Sequence, residues 1–204
     1  DVKLGLVDAG SSDVNVTAAG AITDDVNDAA VDLRGGTVTL NAGTGIGASG
    51  NAIDTDAAAL IVTTTTGDIY LRETDSLFLS ASSVDFTNPL AITGSDIDVR
   101  SSTGNMTLGL VSALGSVTLH ATGGSILDGN AVTPTGDLRN VAGNTLDLVA
   151  SSGIGTSSEG LETSVNSLTA NGGAGGGLVL TNNKALTLTS ATATGGAVSI
   201  SATG

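Results

Sequence analysis

The stretch GSVTLHATGGSILDG, residues 115–129, carries the pattern that decides the fold. Two apolar residues, Val117 and Leu119, are separated by a single polar residue, and glycines interrupt the run on both sides. A period of two places alternate side chains on one face of an extended chain, so the stretch predicts a short strand between turns. The same phrase recurs as GNTLDLVASSGIGT at 143–156 and as GGAVSISATG at 195–204, which predicts many short strands along the chain.

The composition restricts the core that these strands can build. Hydrophobic residues make up 40% of the 204 residues, but aromatic residues make up only 1%, namely Tyr70, Phe78 and Phe86. A closed sandwich of this size normally draws on bulky aromatic anchors, which are lacking here. β-branched residues and the absence of long runs with a 3.6-residue period argue against helices. We therefore expect a narrow aliphatic core between strands, with 30 glycines serving the turns.

The chain repeats itself once, at an offset of about 104 residues. Residues 1–25 lie over residues 105–129, and both halves end in similar phrases, VRSSTG and SISATG. We therefore divide the chain into two units, 1–104 and 105–204, of one continuous array. Matched pairs of residues include Leu4 and Leu108, Ile22 and Ile126, Asp24 and Asp128, Asp32 and Asp137, Gly45 and Gly153, and Asp54 and Glu162.

Short strands within an internal repeat predict an all-β, right-handed parallel β-helix, also called a β-solenoid. With coils of about 20 residues, each unit has four or five coils and the chain about 9–10. A coil spacing of about 4.8 Å then gives a rod of about 45 Å. The side chains expected to face inward are those of Leu4, Leu6, Val14, Val16, Val38, Leu40, Ile69, Leu71, Leu108, Val117, Leu119, Leu148, Leu186, Leu188, Val198 and Ile200.

The phrases quoted above resemble the repeats of filamentous haemagglutinin-like proteins and of the β-helical regions of giant bacterial surface proteins and adhesins. This resemblance extends over nearly the whole chain. It implies an exported right-handed parallel β-helix that serves as the shaft or adhesive fibre of a bacterial cell-surface protein. The chain lacks the N-terminal secretion domain of that family and any distinct tip.

Charge and composition exclude several classes of function. Twenty acidic residues against six basic ones give a net charge of −14, and such a surface repels nucleic acid. The chain has no cysteine, which excludes disulfides and thiolate metal sites. No apolar run is long enough to insert into a membrane, and no signal peptide is visible. We expect a segment cut from a longer secreted, extracellular array.

The residues give little support to catalysis, and we predict that the chain is not an enzyme. The one histidine, His120, lies in a predicted strand, and we expect it to be an outward or packing residue. Aspartate and arginine two residues apart recur as Asp32-Leu33-Arg34 and Asp137-Leu138-Arg139. We interpret these two motifs as surface ion pairs at a turn, which stabilise little.

Calcium is the alternative to a chain without cofactors. Asp24 with Asp25, Asp54 with Asp56, and Asp96 with Asp98 supply the hard oxygen ligands that calcium prefers. However, the glycine-rich nonapeptide of calcium-binding β-rolls is absent. The acids are also unevenly divided, with 15 in residues 1–104 and five in 105–204, whereas a metal site built into the repeat would keep its ligands in both units.

The expected function is therefore that of a rigid extended shaft. Two alternatives remain: an adhesive module that recognises a host, cell or matrix surface by a lateral face, and a subunit of an extracellular filament that assembles head to tail. The expected partners are flanking repeats of the same parent chain or copies of the chain itself, with a cell-surface or matrix ligand for the adhesive module. Nucleic acid and membrane insertion are not expected.

Overall fold

The computed structural model describes residues 1–82, 95–130 and 139–204, and their structure is all-β. The strands form one 20-stranded sheet in which every strand pair is parallel. This confirms the parallel β-solenoid. The strands are β1 (Val2–Leu4), β2 (Val7–Asp8), β3 (Val14–Ala18), β4 (Ala21–Asp24), β5 (Leu33–Ala42), β6 (Gly45–Ile46), β7 (Ile53–Thr64), β8 (Ile69–Glu73), β9 (Leu77–Ser82), β10 (Ile97–Ser101), β11 (Met106–Ser112), β12 (Ser116–Ala121), β13 (Ile126–Asp128), β14 (Val141–Ala142), β15 (Thr145–Ala150), β16 (Leu161–Ser164), β17 (Ser167–Asn171), β18 (Leu178–Asn182), β19 (Thr187–Thr192) and β20 (Val198–Ala202).

Each turn of the chain adds one layer to each of two strand stacks, which we call stack one and stack two. Stack one contains β1, β2, β4, β6, β8, β10, β12, β15, β17 and β19, with the first residues of β5 and β7. Stack two contains β3, β9, β11, β13, β14, β16, β18 and β20, with the last residues of β5 and β7. The long strands β5 and β7 thus join the two stacks into one sheet.

A column of aliphatic side chains follows stack one from its first layer to its last, with each residue paired in register with the next. The column consists of Val2, Ile22, Ile46, Ile69, Ile97, Val117, Leu146, Leu168 and Leu188.

The solenoid has about eight turns, slightly fewer than the 9–10 coils expected. The difference arises because several turns contain more residues than expected, as between Ile69 and Ile97, which are paired in adjacent layers.

The two sequence units occupy opposite stacks. Val2 begins the first unit in stack one, whereas its counterpart Met106 lies in stack two. Conversely, Val14 lies in stack two, whereas Val117, the matching residue one position before the 104-residue offset, lies in stack one. Four turns lead from Val2 to Ile97, and a further half turn leads to Met106. One unit therefore spans about four and a half turns, and consecutive units are rotated by half a turn about the solenoid axis.

The interior of the solenoid is an aliphatic cluster that includes residues of both stacks, most of them almost fully buried. Ten of the side chains expected inside are buried; these are Leu4, Val14, Val38, Leu40, Ile69, Leu71, Leu108, Val117, Leu119 and Leu148. This follows directly from the alternation, because each inward residue lies above its counterpart in the adjacent layer.

One inward assignment was wrong. Leu6 is 67% exposed because it lies between β1 and β2, where the alternation is interrupted. Val16, Leu186 and Ile200 are partly buried and pack against the core, as expected. Leu188 and Val198 are in register with the buried Leu168 and Leu178 but are 50% and 44% exposed, since they lie in the last layers described. Reduced burial is therefore found in the outermost layers.

Candidate functional site

The aspartates proposed as calcium ligands do not share one site. Asp24 and Asp54 lie together at a corner of stack one, and the other four have separate partners. The partners are Lys3 for Asp25 (4.0 Å), Arg34 for Asp56 (2.8 Å), the Ser116 N–H for Asp96 (2.6 Å) and Arg100 for Asp98 (2.8 and 2.9 Å).

A group of buried acidic side chains lies at one corner of the first unit. We call Asp24, Asp32, Asp54 and Glu73 the acidic corner; their exposed fractions are 7%, 6%, 9% and 1%. The loops at this corner are residues 25–32, between β4 and β5, and residues 47–52, between β6 and β7. The corner thus belongs to consecutive layers of stack one, close to the solenoid core.

Backbone N–H groups satisfy part of the corner. Asp24 Oδ1 accepts a hydrogen bond from Val26 N at 2.9 Å, and Asp32 Oδ2 accepts one from Asp54 N at 2.9 Å. The Asp32 N–H donates to the Asp54 carbonyl at 2.8 Å and so continues the ladder between layers. The second oxygen of Asp24, Oδ2, is buried and has no hydrogen-bond partner among the described residues. A buried acceptor left without a donor costs about 1–3 kcal/mol.

Glu73 is the deepest acid and is fully supplied with donors. Its carboxylate accepts hydrogen bonds from Thr55 Oγ1 at 2.6 Å, from Ala57 N at 3.2 Å and from Thr74 N at 2.9 Å. Thr55 itself is 1% exposed. These contacts give Glu73 a structural role, because they tie two layers together and satisfy the N–H of Ala57 within β7.

Three acids of the corner, Asp32, Asp54 and Glu73, are harder to ionise than free carboxyl groups, since their pKa values are raised. Burial is the main cause that raises the pKa of Asp32 to about 6, and the neighbouring Asp24 carboxyl adds to it. Burial also raises the pKa of Asp54, and Arg72 opposes that shift. The pKa of Glu73 is raised by burial against the lowering effect of its hydrogen bonds. The corner therefore holds negative charge without enough positive charge to balance it.

The corresponding corner of the second unit shows that the repeat alignment at Asp32 was wrong. The N–H of Asp32 donates to the Asp54 carbonyl, and the N–H of Asn140 donates to the Glu162 carbonyl, each at 2.8 Å. Asn140, and not Asp137, is therefore the counterpart of Asp32; Asp137 lies outside the described residues. The sequence match failed because the repeated Asp-Leu-Arg phrase is shifted by three residues against the strand register.

The ion pair expected between Asp32 and Arg34 is also absent from the contacts. Arg34 instead bonds to Asp8 at 3.2 Å and to Asp56 at 2.8 Å, on the layers below and above its own. Residues two apart share a face only within a strand, and Asp32 precedes β5; its side chain is buried, whereas that of Arg34 is exposed. The other expected pair, Asp137 with Arg139, includes a residue outside the described ranges.

Amides replace two of the acids in the second unit. Asn140 stands in the place of Asp32, and Asn182 stands in the place of Glu73. Asn140 Nδ2 donates to Asp128 Oδ1 at 2.5 Å and to the Leu108 carbonyl at 3.1 Å. In the second unit Asp128 Oδ1 thus receives an amide donor in addition to the Asn130 N–H, whereas in the first unit Asp24 Oδ1 receives only the Val26 N–H.

A small cavity opens beside the acidic corner and has a volume of about 160 Å³. Asp24, Asp28 and Asp32 contribute its charged lining, and Leu6 and Val26 are among its apolar residues. Leu6 is 67% and Val26 59% exposed, so the two apolar side chains form an open rim above buried carboxyl groups.

Among the described residues, one group of three carboxylates is close enough to hold a metal ion. It consists of Asp56, Glu73 and Asp75, whose ligand oxygens lie within 4.8 Å of one another. Asp56 is bonded to Arg34, and Glu73 is engaged by three donors. A cation at this position would have to displace those contacts. The sequence did not indicate this group because its members are brought together by different strands and a turn.

His120 lies on the outside of β12, as its place in the alternation predicts. Its Nε2 lies 3.1 Å from Asp147 Oδ2, and its side chain is 17% exposed. Asp147 is in the adjacent strand β15. The contact joins two outward residues of neighbouring layers and is a local link of stack one.

Two buried acids of the corner carried a sequence signal that was not used. Asp24 follows Ile22 by two residues and Glu73 follows Leu71 by two, so both continue an inward series. That parity predicts burial. Asp32 has no such signal, since it precedes its strand.

No protein-family model matches the chain, and no curated protein and no solved structure matches it significantly. In the described part of the chain, no helix is long and apolar enough to cross a membrane. The structure is that of a β-helical repeat protein.

Proposed function

We propose that the chain is a structural repeat segment of a secreted bacterial cell-surface fibre or adhesin, in which it acts as a rigid extended shaft. One observation carries this proposal: the solenoid continues across the boundary between its two units. β9 of the first unit pairs with β11 of the second, and β10 pairs with β12, both in parallel register. A unit that joins its successor in this way is suited to lengthening a rod.

The interior supports the mechanical role. Inward aliphatic residues of adjacent layers contact each other along the axis, and backbone hydrogen bonds between layers run in the same direction. Solenoids of this kind are stabilised by contacts between neighbouring layers, so their length can grow without a larger core. The eight or so turns correspond to a rod of about 40 Å at the usual strand spacing.

The resemblance to filamentous haemagglutinin-like repeats supports placing this shaft at a bacterial surface. The resemblance is based on three stretches of sequence. Residues 115–129 form β12 and β13, residues 143–156 form β15 and the following turn, and residues 195–204 form β20. The fold implied by that resemblance is the fold of this chain. Export and adhesion rest on the resemblance and are part of the proposal.

Electron microscopy of tandem fusions tests the shaft. One, two and three copies of the whole chain, joined directly from residue 204 to residue 1, are imaged after purification as monomers. We expect single rods that lengthen by about 40–45 Å with each copy, since each junction would continue both stacks. Beads joined by flexible links, or compact particles of constant length, would refute the proposal.

The unequal charge of the two units favours a second candidate, an adhesive module that binds a cationic surface by its lateral face. Fifteen acidic residues lie in the first unit and five in the second. Replacing Asp13, Asp25 and Asp75, all exposed, by asparagine in the full chain should abolish retention on such a surface at moderate salt. Unchanged retention would argue against this candidate.

The exposed last layer favours a third candidate, head-to-tail assembly of copies. The register at the internal junction, where Met106 pairs with Leu77 and Val117 with Ile97, predicts how a following copy would dock. In that register Val14 of the next copy lies over the 44% exposed Val198. Filaments that form with rising concentration would support this candidate, and a persistent monomer would oppose it.

A further inference from the structure

The acidic corner of the first unit lacks a donor that the second unit possesses. Asp128 accepts two hydrogen bonds on the same oxygen, Oδ1, from Asn130 N at 2.8 Å and from Asn140 Nδ2 at 2.5 Å. Asp24 receives only the corresponding bond from Val26 N, at 2.9 Å, and its buried Oδ2 has none. The internal repeat therefore identifies what is missing beside Asp24: a group that donates hydrogen bonds.

The missing group should also carry positive charge. Asp24, Asp28 and Asp32 line the same cavity, and in the described ranges none of them forms an ion pair with a lysine, arginine or histidine. The nearby Arg34 is already bound by Asp8 and Asp56. Buried carboxylates without a partner destabilise the fold. A cation with N–H donors would neutralise the negative charge and would also donate a hydrogen bond to the carboxylate oxygen that lacks one.

The shape of the cavity favours an organic cation over a metal ion. Calcium takes six to eight oxygen ligands, whereas the rim here consists of the exposed apolar side chains of Leu6 and Val26. The three-carboxylate group close enough for a metal, among the residues described, contains neither Asp24 nor Asp32. A volume of about 160 Å³ corresponds to about five water molecules, which suits an ammonium group with a short alkyl stem.

We propose that the Asp24–Asp32 cavity binds the lysine side chain of a partner protein. The ammonium group donates to the carboxylates of Asp24 and Asp32, and the methylene stem lies against Leu6 and Val26. Lysine offers three donors on a compact charge, and its stem packs on apolar surface while the head is held by acids. This site goes beyond the shaft function and does not depend on it.

Titration of the full chain with Nα-acetyl-lysine amide, followed by NMR of the backbone amides, tests the site. Asp32→Asn reproduces the arrangement of the second unit and should weaken binding about tenfold or more, because it supplies the missing donor and removes one charge. Asp25→Asn is the matched control, since it removes the same charge from an exposed side chain outside the cavity. It should change the affinity less than about twofold.

Two further ligands and one variant show whether the ammonium group, the alkyl stem or both are recognised. Nα-acetyl-norleucine amide has a similar stem without the ammonium group and should not bind, whereas methylammonium should bind more weakly than the lysine amide. Leu6→Ser should reduce this preference for the longer amine. Equal effects of Asp32→Asn and Asp25→Asn would show diffuse attraction to an acidic surface and overturn the proposal. Calcium producing the same spectral changes while the lysine amide produces none would also overturn it.

Discussion

Asp32 and Asn140 occupy equivalent positions in two units that are rotated by half a turn about the solenoid axis. Asp32 carries a carboxyl group at this position, whereas Asn140 carries an amide, which can donate a hydrogen bond. Each accepts a hydrogen bond at 2.9 Å from a backbone N–H in the next layer, that of Asp54 or of Glu162. Only Asn140 also donates, through Nδ2, to the aspartate beside it. The two units of this chain therefore provide a natural comparison between a carboxyl and an amide at one buried position.

Asp32→Asn should stabilise the protein at neutral pH. The amide can accept the bond from Asp54 N and donate to the Asp24 carboxylate, as Asn140 donates to Asp128, and it removes an ionised group from a site that is only 6% exposed. We expect a gain of about 2 kcal/mol in the free energy of unfolding. Urea denaturation at pH 7 measures it. Asp25→Asn, at the surface, should change stability by less than about 0.5 kcal/mol.

The stability of the wild-type chain should fall as the pH rises from about 4 to about 7. The folded-state pKa of Asp32 is raised from 3.8 to about 6, so the folded protein binds more protons than the unfolded chain in this range. The stabilising effect is complete below the unfolded pKa and is lost as the pH rises through the folded one, at a cost of at most about 3 kcal/mol. The raised pKa values of Asp54 and Glu73 act in the same direction.

Denaturation curves across this pH range provide the measurement. Asp32→Asn should flatten the dependence of stability on pH, because it removes the carboxyl group whose pKa is raised to about 6. A wild-type stability that increases between pH 4 and pH 6.5, about the interval of the shift, would contradict the assignment of a raised pKa to this buried group.

Asn140→Asp makes the reverse change and should destabilise the second unit. It removes the donor to Asp128 Oδ1 and to the Leu108 carbonyl, and it brings a second carboxylate against Asp128. Asn140 is fully buried, so we expect a loss of about 2–4 kcal/mol at pH 7, with partial recovery at pH 4 as the acid takes up a proton. Equal losses at both pH values would point to packing as the cause.

Alternation of residue types was sufficient to predict the solenoid and most of its core. Leu119 and Leu148 were assigned inward from period two alone, and both are fully buried. The half-turn rotation between units could not be predicted, because a sequence offset reports similarity and not which stack a strand joins. The wrong alignment at Asp32 had the same origin. The Asp-Leu-Arg phrase occurs in both units, but it is shifted by three residues against the strand register, in a segment whose length differs between the units.

The acidic corner could be predicted only in part. Asp24 and Asp54 were selected as oxygen ligands, and Asp24 and Glu73 continue an inward parity that predicts burial. The grouping of Asp24 with Asp32 arises from the path of residues 25–32, which have no periodicity. Contacts made by an irregular segment depend on the layers around it, so the free oxygen of Asp24 has no signature in the sequence.

Leu119→Asp should abolish folding of the layers around β12, whereas His120→Ala should alter stability little. Leu119 is fully buried between Val99 and Leu148 of the adjacent layers, and a carboxylate there would have no partner. His120 loses only its contact with Asp147, worth about 0.5–1 kcal/mol. Circular dichroism and resistance to proteolysis distinguish the two. Equal tolerance of both variants would refute the inside and outside assignment of β12.

Gly67→Ala and Gly50→Ala separate backbone strain from crowding between layers. Both glycines have positive φ, 85° and 92°, where a side chain costs about 1–2 kcal/mol. A Cβ on Gly67 would also lie 1.7 Å from the Thr44 carbonyl oxygen of the layer below, whereas a Cβ on Gly50 would meet nothing within 4 Å. Since the neighbouring layer would have to move, we expect Gly67→Ala to cost about 2 kcal/mol more than Gly50→Ala in urea denaturation. Similar costs for the two would mean that the turn after β7 yields to the added methyl group, and that adjacent layers are less tightly coupled than a rigid shaft requires.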